Sequence, residues 1–153
     1  MAVFTLRRAG AVVTPDTATV TFMTAIAATN RALRCQEMSF SGLGTASAAN
    51  EFQCAASPTG TTPGGAVVPA PYNPLSSAAA AFTTATTWAT APAVTGQGGL
   101  GFGVNANGGT YRWLAKTNFE LMAQNAVAAL AILSFKVVSG TSSIASHIVI
   151  EEL

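Results

Sequence analysis

LAILSFKVVSGTSSIASHIVIEE, residues 130–152, is the stretch whose reading decides the fold. Two apolar runs rich in β-branched residues, Leu130–Val138 and Ile144–Glu152, flank Ser139-Gly140-Thr141-Ser142. That is a strand, a turn and a strand, and the turn reads as a hairpin loop. Successive side chains of a strand point to opposite faces. Ile144, Ser146, Ile148 and Ile150 therefore share one face, and Ala145, His147, Val149 and Glu151 the other. Glu/Lys pairs at helical spacing are almost absent, so short strands punctuated by Gly, Pro and Asn are the expected units.

The same reading extends towards the N-terminus. Phe119–Met122 is a short strand with a turn at Gln124-Asn125, and Thr110–Ala115 is a strand preceded by the turn Asn105–Gly109. Asn and Gly tolerate positive φ, which is why that turn is strong. Gln97–Val104 is a glycine-punctuated strand with Leu100, Phe102 and Val104 on one face. Glu51–Ala56 turns Phe52 and Cys54 inward. Ala32–Phe40 alternates with Leu33, Cys35 and Glu37 on one face and Arg34, Gln36, Met38 and Phe40 on the other, so neither face is purely apolar. Val12–Met23 opens the series, broken at Pro15-Asp16. Ser57–Pro74 holds Pro58, Pro63, Pro69, Pro71 and Pro74, five of the seven prolines. Proline fixes φ and donates no hydrogen bond, so this segment stands outside the sheets. Its apolar content predicts an ordered extended excursion packed on a surface. Ser76 or Ser77 is expected to cap one or two helical turns through Ala78–Phe82. The fold class that results is all-β: a jelly-roll or β-sandwich of about eight strands, with one long Pro/Gly-rich connection and at most a short helix.

Charge is nearly missing. Seven basic and six acidic residues make 13 charged side chains in 153, a net charge of +1, where an ordinary soluble domain carries roughly 25%. Nucleic-acid binding needs a basic face to neutralise phosphates. The only basic concentration is Arg7, Arg8, Arg31 and Arg34, so no nucleic-acid partner is expected. The most apolar stretch, Ala126–Leu133, falls far short of the ~20 residues of a membrane helix, and no membrane partner is expected. Met1–Arg8 does not read as a signal peptide, because its charge follows its apolar residues. A neutral Ala/Thr/Gly surface suits packing against another protein or against copies of itself.

Residues that carry chemistry are scarce. His147 is the only histidine and Asp16 the only aspartate. A triad, a zinc site or a general base needs partners for them. Glu151 and Glu152 are adjacent on a strand, point to opposite faces, and read as an exposed chain end. Gly98–Gly103 lacks the Lys-Ser/Thr and the helix of a phosphate loop. Cys35 and Cys54, paired through a hairpin at Gly42–Ala49, would sit diagonally, so two buried reduced thiols are expected rather than a disulfide. No catalytic residue, metal or cofactor is expected. Tyr111-Arg112-Trp113 is the strongest side-chain signal, because Tyr, Trp and Arg are enriched at interface hot spots; the alternative is that Trp113 is plain core.

The order of these pieces resembles the small jelly-roll decoration, or cement, proteins of tailed-bacteriophage heads. The resemblance covers roughly residues 30–153. It is carried by the apolar Gly60–Pro74 stretch, Trp88-Ala89-Thr90-Ala91-Pro92, the glycine-rich strand, Tyr111-Arg112-Trp113 and the closing Ile148-Val149-Ile150-Glu151-Glu152. It implies no enzymatic activity and a homotrimer at three-fold or quasi-three-fold axes of an icosahedral shell. It also implies major capsid protein as partner, and a place on the outer capsid surface after assembly in the host cytoplasm. Residues 1–11 then read as an N-terminal arm and 12–153 as the single domain. Phe4, Leu6, Arg7 and Arg8 would form a strap onto an acidic shell, whose deletion spares folding. Trp88, Tyr111, Arg112 and Trp113 complete the candidate interface. The alternatives are another virion component (tail, baseplate or head fibre) or a glycan- or receptor-binding jelly roll.

Overall fold

A computed structural model describes residues 1–76, 78–94, 99–116, 121–127 and 130–153 of the chain. Among them there are eleven strands: β1 (Ala2–Val13), β2 (Val20–Ile26), β3 (Ala32–Gly42), β4 (Ala49–Ser57), β5 (Ala70–Pro71), β6 (Thr83–Thr87), β7 (Leu100–Asn105), β8 (Thr110–Leu114), β9 (Leu121–Gln124), β10 (Ile132–Ser139) and β11 (Ser142–Glu152). One sheet runs β5-β1-β11-β3-β8, with β9 also on β3; the other runs β6-β2-β10-β4-β7. Without β5, β6 and β9, eight strands remain in the orders β1-β11-β3-β8 and β2-β10-β4-β7. This is the jelly-roll arrangement, two facing antiparallel sheets in which every step between successive core strands except β4 to β7 crosses from one sheet to the other. The expected fold class holds. The extra strands are insertions, β5 and β6 between β4 and β7, and β9 between β8 and β10.

The core lies between the sheets. Phe4, Leu6, Ile144, Ile148 and Ile150 from the first sheet meet Phe22, Phe52, Leu133, Phe135 and Val137 from the second. Aromatic rings form a continuous path through it. Tyr111 stacks on Phe102, Phe102 on Phe52, and Phe52 meets Phe22 edge-on.

Several expectations are corrected. Residues 1–11 are not an arm: Ala2–Val13 is β1, held between β5 and β11. Phe4 and Leu6 are 1% and 0% exposed, because the strand's inward alternation completes the core. Ser139–Ser142 is not a hairpin loop, since β10 and β11 lie in different sheets; Gly140, at φ 98°, turns the chain across the sandwich. Residues 42–49 likewise cross from β3 to β4 in the opposite sheet. The alternation of β3 is broken by a bulge. Val149 faces Glu37 and Ile150 faces Cys35, leaving Gln36 extra. The bulge returns Met38 and Phe40 to the inner face shared by Leu33 and Cys35.

The Ala78–Phe82 segment is not helical, and Ser77 lies outside the described residues. Ala81 donates its N–H to Glu152 Oε2 at 3.3 Å, and Phe82 packs edge-on to Phe4 at 5.5 Å. These contacts hold the segment extended. Gln97-Gly98 and Phe119-Glu120, placed in strands by the sequence reading, also lie outside the described residues.

The described residues of the long connection lie on the protein's own surface. It starts past β4, pairs with β1 through β5 and with β2 through β6, and is cross-tied by the bridges Thr61–Thr90 and Gly64–Thr87. Trp88 from this connection packs with Ala85, Ala131 and Ile132 in a second, smaller cluster. Ile132 alternates with the inward Leu133, so this cluster covers the outer face of the second sheet.

Candidate binding surface

The outer face of the first sheet is left bare by the long connection except at one edge. Its residues follow from register: Val3, Thr5 and Arg7 of β1 stand opposite Glu151, Val149 and His147 of β11. Glu37 and Ser39 of β3 and Arg112 and Leu114 of β8 continue the same face. At the edge, β5 lies against β1, and the N–H of Tyr72 donates to the Val3 carbonyl at 2.9 Å. That bond sets Tyr72, 58% exposed, over the face. Shallow grooves lie on either side of it. One, about 460 Å³, is lined by Glu37, Leu114 and Val149; the other, about 460 Å³, by Arg7, Pro71 and His147. Val68 and Leu75, on the same excursion, are 81% and 92% exposed.

The carboxylates Glu37 and Glu151 of this face are each paired with an arginine. Arg112 Nε donates to Glu37 Oε1 at 2.7 Å. The hydrogen bond from Arg112 holds the Glu37 carboxyl below its ordinary range. Arg34 and Gln36 both donate to Glu151 Oε2. The expected exposed chain end is therefore corrected. Glu151 is buried under these donors, and Glu152 is buried on the inner face, where it accepts from Ala81. The carboxylate that Arg112 faces belongs to its own chain.

The proposed interface residues separate into three groups. Phe4, Leu6 and Trp88 are buried within the chain, because each fills a hydrophobic cluster of the monomer; Trp88 Nε1 also donates to Thr21 Oγ1 at 3.3 Å. Arg8 points inward. It donates to the Phe22 carbonyl oxygen and lies over the Phe22 ring. These four do not form a strap or an external contact. Tyr111 and Trp113 are half-buried on the inner side of the β8 edge, with Tyr111 stacked on Phe102 at 3.9 Å between centroids. Arg7 and Arg112 alone reach solvent on the bare face. Tyr72, Val68 and Leu75 were not singled out from the sequence; the apolar content of a proline-rich stretch was the only signal.

Asp16 closes the β1–β2 loop. Its Oδ1 accepts from the N–H groups of Phe22 and Val137, both at 3.0 Å. Burial pushes its carboxyl up to about 6, although those two bonds, Lys136 and Arg8 pull it down. Cys35 and Cys54 are both free and buried. Burial pushes the Cys35 thiol up to about 12 and the Cys54 thiol well above its ordinary value. Among the described residues no group of three or more His, Cys, Asp or Glu side chains is placed to hold a metal. The surface offers hydrogen-bonding groups beside exposed apolar side chains.

No protein-family model, curated protein or solved structure matches the chain.

Proposed function

We propose that this chain is a structural virion protein that decorates and stabilises a phage head by bridging neighbouring major capsid protein subunits. In this reading it acts as a homotrimer at three-fold or quasi-three-fold axes and performs no catalysis. The single observation that carries it is the contrast on one molecule: a nearly chargeless jelly roll exposing Val68, Tyr72 and Leu75 on an ordered, proline-stiffened excursion. Stiffened apolar side chains lose little entropy when they are covered, so they favour protein contact. Several such contacts made at once by one oligomer multiply by avidity. The resemblance described above supplies the phage-head setting. Burial of Trp88 and of one face of Tyr111 favours this reading over glycan binding, which needs open stacking platforms.

Light scattering on a sizing column is the first test. Three chains of 15.4 kDa give about 46 kDa, and a trimer supports the reading. The second is the copy number of the chain on purified heads of a phage that encodes it. A number comparable to the shell protein is expected. Its absence from the heads, or a number far below the shell protein, overturns decoration; the latter points to a tail, baseplate or head-fibre part.

A further inference from the structure

Arg7 and His147 stand directly opposite each other on β1 and β11, both on the bare outer face. Opposed residues of an antiparallel pair have Cβ atoms about 5 Å apart. A guanidinium and an imidazole are thus held side by side, and the Arg7 charge disfavours protonation of His147. Glu37 on β3 acts on the imidazole in the opposite sense, but it is ion-paired to Arg112 of β8. Arg7 is exposed and forms no ion pair among the described residues, and His147 Nε2 is buried without a hydrogen-bond partner there. Thr5, Pro71, Tyr72 and Pro74 complete the walls of the groove that these two residues line.

We propose that Arg7 and His147 form a seat for a carboxylate side chain of a partner protein, presented on an acidic extended segment that lies along the groove beside Tyr72. The segment's carboxylate takes the Arg7 guanidinium beside the imidazole, while its backbone and apolar atoms lie against Tyr72 and the prolines. This deepens the decoration reading and rests on it for the partner's identity, which would be an acidic shell segment. Burial and the neighbouring Arg7 hold His147 below the usual imidazole range, with Glu37 opposing. Arg7, Glu37, Arg112 and Tyr72 are the charged and titratable groups around it, from β1, β3, β8 and the excursion. A bound carboxylate adds a negative charge and raises the His147 pKa, so binding tightens as pH falls.

His147 is the only histidine, so its Hε1 resonance reports on the site alone. The test titrates the intact protein with a hexaglutamate peptide while following that resonance from pH 5 to 8. Saturable movement is expected, with the His147 midpoint raised in the complex. Arg7→Gln is expected to weaken binding about ten-fold, the scale of one lost charge-assisted hydrogen bond. Arg31→Gln, at another exposed arginine, should leave binding unchanged. Equal weakening by both variants, or a resonance that does not move, overturns the seat. The seat and the decoration reading fail separately. Peptide binding with no protein on heads removes only the latter. Arg7→Gln protein that decorates heads as well as wild type removes the seat's role and leaves decoration standing.

Discussion

Arg8 places its guanidinium carbon 4.7 Å from the centre of the Phe22 ring and donates to the Phe22 carbonyl oxygen. A cation thus ends the aromatic path that begins at Tyr111. Burial lowers the Arg8 pKa, with Asp16 opposing the shift.

Removing this contact leaves a carbonyl without its donor and an aromatic face without its cation. Arg8→Ala is expected to destabilise the fold by about 2 kcal/mol. Arg7→Ala, one residue away on the solvent side, should stay within about 0.5 kcal/mol. Urea unfolding of both variants checks the difference. Equal losses would mean that inward placement of Arg8 contributes nothing.

Stability should depend on pH through Asp16. Its folded pKa, about 6, lies above the ordinary value of about 4. The folded state therefore binds the extra proton between those values. The stabilisation is fully present below about pH 4 and is lost as pH rises through 6. About 2 kcal/mol is the expected size, after allowance for solvent screening of a partly exposed group. Asp16→Asn keeps an acceptor oxygen for the Phe22 and Val137 N–H groups, and should flatten this part of the profile. Denaturation midpoints at pH 4, 5, 6 and 7 check it.

Two strand glycines should respond oppositely. A Cβ at Gly42 would overlap the carbonyl oxygens of Asn105 and Ala106, whereas one at Gly101 meets nothing within 4 Å. Gly42→Ala is expected to cost about 2 kcal/mol or more, because backbone atoms must shift. Gly101→Ala should be neutral or slightly stabilising. Thermal unfolding of the pair measures this.

Deleting residues 2–10 should prevent folding rather than trim an appendage. It removes most of a strand whose partner β11 lies at the centre of the sheet. It also removes Phe4 and Leu6 from the core. The truncated chain is expected to show no cooperative thermal transition by circular dichroism.

Strand existence was legible where alternation was clean. β7, β8 and β11 present the faces that their sequences predict. β3 was not, because its bulge at Gln36 is set by the register against β11. Inserting one residue transfers Met38 and Phe40 to the other side. β1 was hidden by Arg7-Arg8 and Gly10, which interrupt the apolar pattern; only a partner far along the chain makes it a strand. Turn residues at 139–142 announced a reversal but not that the next strand joins the opposite sheet. The candidate site was legible in part. Arg7 was noticed, but its pairing with His147 and the approach of Tyr72 depend on long-range register.

The buried thiols make the chain a clean host for chemical labelling. With Cys35 and Cys54 both sealed in the core and held protonated, maleimides at neutral pH have no native target in the folded protein. A single cysteine placed at Leu75 would be the lone addressable atom of the molecule. A dye or a heavy-metal tag could then be fixed at this exposed position without touching the wild-type core.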